Sequence, residues 1–244
     1  MPDDVYIRLR DFLDGLPGGF PATESGVELK LLERYFTPEQ AELAMQLQNI
    51  PEPVSAIAER VGMDESELAE KLETMAREGS IYRVRMGGQP YYFALQFLIG
   101  IYEFHLNAMD RELSELLSEY LPNLFGEFEK VPTKQLRVVP VDAAIDTTTA
   151  VATYDSAREM VKAESVFAVA DCICRKERQL LDQGCEHPLE SCLTFGIAAQ
   201  YYIENGIGRE ISLEECLAIL DRAEKNAMVV APSNSQAIMN ICTC

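Results

Sequence analysis

Apolar positions in the first eighty residues recur at helical spacing, punctuated by start and stop signals. Val5, Leu9, Phe12 and Leu13 mark a short amphipathic piece, followed by a Pro/Gly stretch from Leu16 to Pro21. Ser25 with Glu28 makes a capping-box pattern that opens a helix with Leu29, Leu32, Tyr35 and Phe36 inward. Thr37 to Gln40 repeats the signal for a second helix ending near Asn49. Val54, Ile57, Ala58 and Val61 fall at i, i+3, i+4 and i+7 and predict a third, stopped by Gly62. Asp64 with Glu67 caps a fourth, which carries Leu68, Leu72, Met75 and Ala76 and stops at Gly79. The period then falls to two. Ile81 to Met86, a Gly87-Gly88 turn and Gln89 to Leu95 read as a β-hairpin.

Helix, turn, helix and hairpin in that order predict a winged helix, whose usual work is DNA reading through the second helix of the pair. Here that helix carries Asp64, Glu65, Glu67, Glu70, Glu73 and Glu78 against only Lys71 and Arg77. Such a face repels phosphates, and Arg83 with Arg85 on the hairpin is a slender basic pair. The expectation is a docking or homodimerisation module rather than a DNA reader. A long helix is predicted next, from about Gln96 to Tyr120, with Phe97, Ile101, His105, Met109, Leu113 and Leu116 at helical spacing. His105 is expected to be an ordinary member of that stripe. Pro122 should end the helix, with Leu124, Phe125 and Phe128 packed behind it, and Val131 to Lys134 is the expected domain boundary.

Beyond the boundary strands and helices alternate. Leu136 to Val141 reads as a strand, residues 153–163 as a helix, and Val166 to Ala170 as a buried strand that delivers Cys172. A cysteine loop follows, then a helix from Pro188 to about Glu204. Ser212 and Glu215 cap another helix with Leu213, Cys216, Leu217 and Leu220 on one stripe, where Cys216 is expected to be a buried core thiol. Met228 to Ala231 is the last expected strand, ahead of a polar loop and Ile241 to Cys244. The expected fold class is α+β, with a winged-helix domain over residues 1–130 and a cysteine-rich α/β domain over 131–244.

Composition narrows the function classes. The 244 residues are 48% hydrophobic, enough to bury real cores. No apolar run reaches the ~18 residues of a membrane span. The start, Met-Pro-Asp-Asp, lacks the basic and apolar regions of a signal peptide. A cytoplasmic, reducing location is therefore expected, where persistent disulfides are rare. The formal net charge is −19. Residues 1–130 hold 24 acids against 11 Lys and Arg, a net −13, and the remainder 16 against 10, a net −6. That balance offers no basic footprint for nucleic acid.

Chemistry concentrates between Asp171 and Cys192. Four of the seven cysteines, Cys172, Cys174, Cys185 and Cys192, form a C-x-C-x10-C-x6-C pattern, and Cys242 with Cys244 repeats the C-x-C at the end. Thiolates are the soft ligands that select zinc, copper(I) and iron–sulfur clusters. An extended C-x-C sets its side chains roughly 6.6 Å apart, whereas sulfurs on a tetrahedral zinc lie only about 3.8 Å apart. The spacing leans towards a cluster, with a structural zinc site as the alternative. Arg175, Lys176 and Arg178 directly follow the second thiol, and cations there offset the negative charge of a cysteinyl cluster. His187-Pro188 reads as a helix start, which would put Cys192 in or just past the first turn.

The run from Cys172-Ile-Cys-Arg through Cys185-Glu-His-Pro-Leu-Glu-Ser-Cys-Leu-Thr-Phe-Gly to Tyr201-Tyr-Ile-Glu-Asn-Gly-Ile-Gly-Arg-Glu-Ile-Ser-Leu-Glu-Glu-Cys resembles a family of iron–sulfur, ferredoxin-type proteins of anaerobic bacteria and archaea. Residues 24–43 and 100–104 resemble the same family, which joins a winged-helix region to a cysteine-rich domain. The resemblance implies a 4Fe-4S cluster at Cys172, Cys174, Cys185 and Cys192 and a low-potential electron-transfer role with redox partner proteins. The family's further ferredoxin segment, C-x-x-C-x-x-C-x-x-x-C-P, does not occur in this sequence.

Three functions remain on the sequence. The first is an electron-transfer component with a 4Fe-4S cluster on Cys172, Cys174, Cys185 and Cys192, with Arg175 beside it and Cys242 and Cys244 as further candidate ligands. The second is a metal- or redox-sensing winged-helix regulator, and the third a zinc-stabilised interaction protein. An enzyme with its own substrate has the least support, since no Gly-rich nucleotide loop or nucleophile elbow is present. The terminal pair is expected near the first cysteines, on the premise that parallel strands of one sheet bring both to one edge.

Overall fold

The computed structural model describes residues 4–130, 132, 134–136, 157–235 and 237–244, and the fold is α+β. The chain divides into two compact units, Met1–Pro132 with Glu177–Gln183, and Thr133–Lys176 with Gly184–Cys244.

The first unit opens with α1 (Asp4–Asp14), α2 (Val27–Tyr35) and α3 (Pro38–Ala44). Thr37 and Gln40 close the expected capping box on α3, each side chain bonded to the other's backbone N–H. The box expected at Ser25 and Glu28 does not form. Gly26 takes the left-handed conformation, φ 68°, at the start of α2, and Thr23 rather than Ser25 reaches the Glu28 carboxylate. Nor does α3 continue to Asn49. Its chain turns out after Met45 so that the Gln48 carbonyl accepts from Ala94 N–H at 2.7 Å.

Next come β1 (Glu52–Pro53), α4 (Val54–Val61), α5 (Glu65–Glu78), β2 (Tyr82–Met86) and β3 (Gln89–Phe93). Gly62 and Gly79 end the two helices in left-handed conformations, as their positions in sequence predict. Asp64 caps α5 by accepting from the N–H groups of Ser66 and Glu67. The three strands form an antiparallel sheet in the order β1-β3-β2. Arg83 is not a surface cation of the hairpin. It is buried and donates to Glu73 Oε1 at 2.6 Å, while Tyr92 donates to the other carboxylate oxygen at 3.0 Å.

The long helix expected over 96–120 is broken twice. Phe97–Ile101 is an irregular turn in which Ile99 adopts φ 56° and Gly100 N–H donates to Glu103 Oε2. A side chain at 100 would come within 2.9 Å of Leu95 Cγ, so the chain bends where only glycine fits. A short α6 (Tyr102–Phe104) and a 3₁₀ turn over Leu106–Ala108 follow. Asp110 then caps a new helix, α7 (Arg111–Phe128), through Leu113 N–H at 2.8 Å. Pro122 does not end α7 but lies inside it, exposed, with Tyr120, Leu121 and Leu124 buried on either side. Phe125, expected to be packed, is 48% exposed. His105 is buried, as a member of the apolar stripe should be, 4.3 Å from the Tyr35 ring with Nδ1 bonded to the Ile101 carbonyl.

In the second unit α8 (Ala157–Lys162) precedes β4 (Phe167–Asp171), and α9 (Ile173–Leu180) starts one residue after Cys172. Then come β5 (Glu190–Phe195), α10 (Gly196–Glu204), β6 (Arg209–Glu210), α11 (Leu213–Lys225), β7 (Val230–Pro232) and β8 (Asn240–Thr243). The strand expected over 136–141 lies, beyond Leu136, outside the described residues, as do residues 153–156 of the expected helix. Ser212 caps α11 by accepting from Glu215 N–H, but Leu213 faces outward and Ile219 fills the core in its place.

The five strands are antiparallel throughout, in the order β6-β4-β5-β8-β7. That corrects the expectation of parallel strands. β4 and β8 nevertheless run the same way, because each is antiparallel to β5 between them. Val169, Leu193 and Ile241 stand opposite one another across β4, β5 and β8 and form, with Cys216, Ile219 and Leu220 of α11, one apolar cluster. Each fully buried Leu or Ile there contributes about 1.5–3 kcal/mol by leaving water. The alternate residues therefore point to the sheet's other face, and those include the cysteines.

Candidate metal centre

On that second face the strand register places Ala170 opposite Cys192, and Ala231 opposite Cys242. Leu193 pairs with Ile241, so Cys192 and Cys242 are the next facing pair across β5 and β8. A four-strand row thus reads Ala170, Cys192, Cys242, Ala231. The two thiols thus have methyl groups as their outer strand neighbours. Two residues further along β8, Cys244 returns to the same face. Its backbone is tied down, donating to and accepting from Val229 at 2.9 and 2.7 Å. The terminal pair is therefore not a frayed end.

Cys172 follows β4 at the same edge, with its N–H donating to the Leu189 carbonyl at 2.7 Å. Between Ala170 and Asp171 the register shifts, leaving Ser191 as an extra residue on β5. The expectation for Cys192 is overturned here. His187-Pro188 starts no helix, and Cys192 sits in a strand flanked by β4 and β8, with the helix delayed to Gly196. The first C-x-C is likewise not extended. α9 begins at Ile173, so Cys174 occupies a first helical turn and is exposed, while Cys172 is buried. The extended geometry expected for Cys172 and Cys174 occurs instead at Cys242 and Cys244.

Arg175 holds these pieces together. Its guanidinium is 4% exposed and donates from Nη1 to the Pro188 carbonyl at 2.6 Å and to Ser191 Oγ at 2.5 Å. From Nη2 it donates to the Thr243 carbonyl at 2.6 Å. Thr243 Oγ1 in turn donates to the Ser191 carbonyl at 2.9 Å. The cation thus joins α9 to the residue before Cys192 and to the residue between Cys242 and Cys244. Its Nε remains buried without an acceptor among the described residues. Lys176 and Arg178, expected to share its role, are half-buried and exposed, and Arg178 donates to Gln183.

The thiols sense one another. The hydrogen bond from Cys174 pulls Cys172 down to about 7, helped by the Arg175 N–H and charge and opposed by burial. In the terminal pair Cys242 donates to Cys244, which is pulled down to about 6, with the charges of Arg175 and His187 adding to that hydrogen bond. Cys242 is pushed up by the proton it shares with Cys244, by burial and by thiolates at Cys192, Cys172 and Cys244. The terminal pair therefore contains one thiol that keeps its proton and one poised to lose it. Cys216 is the buried core thiol expected, pushed up to about 12 by burial.

Of the six candidate ligands, Cys172, Cys174, Cys192, Cys242 and Cys244 are brought together, and Arg175 is among them. Cys185 is exposed in the segment between α9 and β5 and enters none of these contacts. Among the described residues no group of three or more His, Cys, Asp or Glu side chains is disposed to hold a single metal ion. Facing Cβ atoms on neighbouring strands stand about 4.5–5.5 Å apart, and i, i+2 side chains about 6.6 Å. The sulfurs approach more closely than this backbone spacing within each C-x-C pair, where Cys174 bonds to Cys172 and Cys242 to Cys244. Ser191, Thr243 and His187 are neighbours of the site that the sequence does not single out. The alternation Ile241-Cys-Thr-Cys carries the signal for Thr243, as a strand end with that residue turned from the thiols. No protein-family model matches the chain, and neither a characterised protein nor a solved structure matches it.

Proposed function

We propose that this protein is an electron-transfer component whose second unit holds a 4Fe-4S cluster on its cysteine face. The observation that carries this reading is the gathering of five thiols beside the buried Arg175 cation at the edge shared by β4, β5 and β8. Cysteine thiolates are the standard ligands of such clusters, and a cluster supplies one-electron transfer when bound. The chain's own contribution is to gather the thiols, to offset their charge with the buried Arg175, and to offer its unpartnered Nε–H. Hydrogen bonds to sulfur and nearby charge raise a cluster's potential. None of the seven cysteines forms a disulfide, which suits a reducing, cytoplasmic location. The resemblance to ferredoxin-type proteins of anaerobes supports the same reading.

In the first unit, α4, α5 and the β2–β3 hairpin follow the order of a winged helix, which we read as a module for a redox partner or a second copy. Its surface does not favour DNA. The acidic α5 keeps Glu65 and Glu70 outward, and Arg83 is consumed by Glu73. Among the described residues no helix is long and apolar enough to cross a membrane. The deciding experiment is anaerobic purification or reconstitution with ferrous iron and sulfide, followed by iron and sulfide analysis and EPR after reduction. Brown protein with a reduced-cluster signal supports the reading. Colourless protein that retains stoichiometric zinc and forms no cluster sinks it in favour of a zinc-stabilised interaction protein.

A further inference from the structure

Six cysteines are candidate ligands, and a four-iron cluster takes four. The structure separates them by where the backbone puts them. Cys192 and Cys242 are facing residues of two adjacent strands. Cys244 is two residues beyond Cys242, fixed by its two backbone bonds to Val229. Cys172 comes directly after β4, whose direction matches β8, so it reaches the same edge as Cys244. Cys174 has left the sheet on α9 and is exposed, and Cys185 is exposed in a connecting segment.

We infer that the metal-holding set is the sheet-edge quartet Cys172, Cys192, Cys242 and Cys244, with Cys174 a neighbour of Cys172 and Cys185 outside the site. The assignment rests on the iron–sulfur reading above and departs from the contiguous C-x-C-x10-C-x6-C set. Its physical basis is rigidity. Three of the four thiols ride on or beside strands whose positions are set by ladder hydrogen bonds, and the fourth sits just past the end of β4. Arg175 reinforces them, since two of its acceptors, Pro188 and Ser191, precede Cys192 and the third, Thr243, sits between Cys242 and Cys244. No comparable bond among the described residues secures Cys185. A site drawn from the quartet needs little reorganisation to close on a cluster. Cys244 is exposed like Cys174 and Cys185, but its backbone is fixed by Val229, whereas the other two lie off the sheet.

The test uses the full chain, loaded anaerobically with ferrous iron and sulfide. Iodoacetamide is applied to loaded and unloaded protein, and each cysteine is scored by mass spectrometry. Cys192, Cys242 and Cys244 should be protected only when loaded and Cys172, which is buried, should react slowly when unloaded and not at all when loaded, while Cys174 and Cys185 are alkylated in both states. In parallel, Cys185→Ser should keep the iron content and EPR signal of the parent, and Cys242→Ser should lose them. The labelling on unaltered protein decides the matter even if a variant fails to fold. Protection of Cys185, or a cluster kept in Cys242→Ser and lost in Cys185→Ser, overturns the assignment while leaving the iron–sulfur reading intact. Unaltered protein that takes up neither iron nor sulfide overturns both.

Discussion

Cys192 and Cys242 face each other across β5 and β8 as a pair without hydrogen bonds between their backbones. Phe195 N–H donates to the Met239 carbonyl, which makes every second pair along this ladder hydrogen-bonded and leaves 192 with 242 in the narrow kind. Side chains at such pairs stand closer than at hydrogen-bonded ones. Their Cβ separation of about 4.5–5.5 Å lies just outside the ~3.5–4.5 Å of a disulfide, so a small strand movement closes the gap.

Metal-free protein treated with diamide should therefore form a Cys192–Cys242 disulfide ahead of any other. The two thiols give up two electrons and two protons, and the diazene is reduced to its hydrazine. Peptide mapping without reduction reads the link directly. A dominant bond involving Cys185 would contradict the observed register.

The first unit's helices and hairpin are legible in the sequence because each boundary is written locally. Thr37, Asp64, Gly62 and Gly79 act on their own backbone neighbours, and the structure uses each as expected. The break at Gly100 is not legible, since no cap or proline marks it and the local folding-back of Leu95 onto Gly100 appears only in the structure. The spacing from Phe97 to Leu116 passes smoothly over it. His187-Pro188 misleads for the opposite reason. The local signal is a helix start, but the segment's carbonyls are taken by Cys172 N–H and Arg175, and pairing with β4 and β8 makes a strand of residues 190–195. Parallel strands are the wrong premise for the meeting of the two C-x-C pairs. They meet because one antiparallel strand between them restores a common direction.

His105 supplies a pH dependence. Burial lowers its pKa from 6.5 to about 4, only partly offset by its bond to the Ile101 carbonyl. The unfolded chain takes up a proton below 6.5 that the folded chain refuses until about 4. Stability contributed by the neutral imidazole is thus complete above 6.5 and is lost as pH falls towards 4. The loss amounts to about 3 kcal/mol across that window. His105→Asn, whose amide can still donate to Ile101, should flatten this part of the profile. Denaturant midpoints measured from neutral to mildly acidic pH would show it, and an equal slope in both proteins would refute the assignment.

Glu177 should act in the other direction. Its carboxylate is 1% exposed, with Oε2 accepting from Tyr102 at 2.6 Å and Oε1 buried without a partner among the described residues. Burial raises its pKa, against the lowering effects of the Tyr102 bond and the Arg178 charge. A raised carboxyl contributes stability below its unfolded pKa and loses it as pH rises through the folded value. Glu177→Gln keeps an acceptor for Tyr102 and cannot ionise. The variant should therefore lose less stability than the parent as pH rises from about 4.5 through the folded value, as read by urea unfolding. A parallel decline in both would show that the carboxyl is not the source.

Arg175 gives the strongest stability prediction, because one buried side chain serves three acceptors on two separate segments. Hydrogen bonds from a charged donor are worth roughly 1.5–3 kcal/mol each, and the three are not additive since they share one guanidinium. Arg175→Ala should cost roughly 3 kcal/mol of unfolding free energy, the range in which removing one partner from a buried charged network falls. The damage should be local in a specific way. Thr243 loses its carbonyl partner, so the end of β8 loosens, and the Cys244 N–H bonded to Val229 should exchange with deuterium faster than amides of β4. Arg175→Lys retains the charge but has a single ammonium in place of a planar fork, so it should recover only part of the loss. Urea midpoints and amide exchange on metal-free protein measure both effects. An alanine variant with an unchanged midpoint and a protected Cys244 amide would mean that β8 is held by its ladder alone.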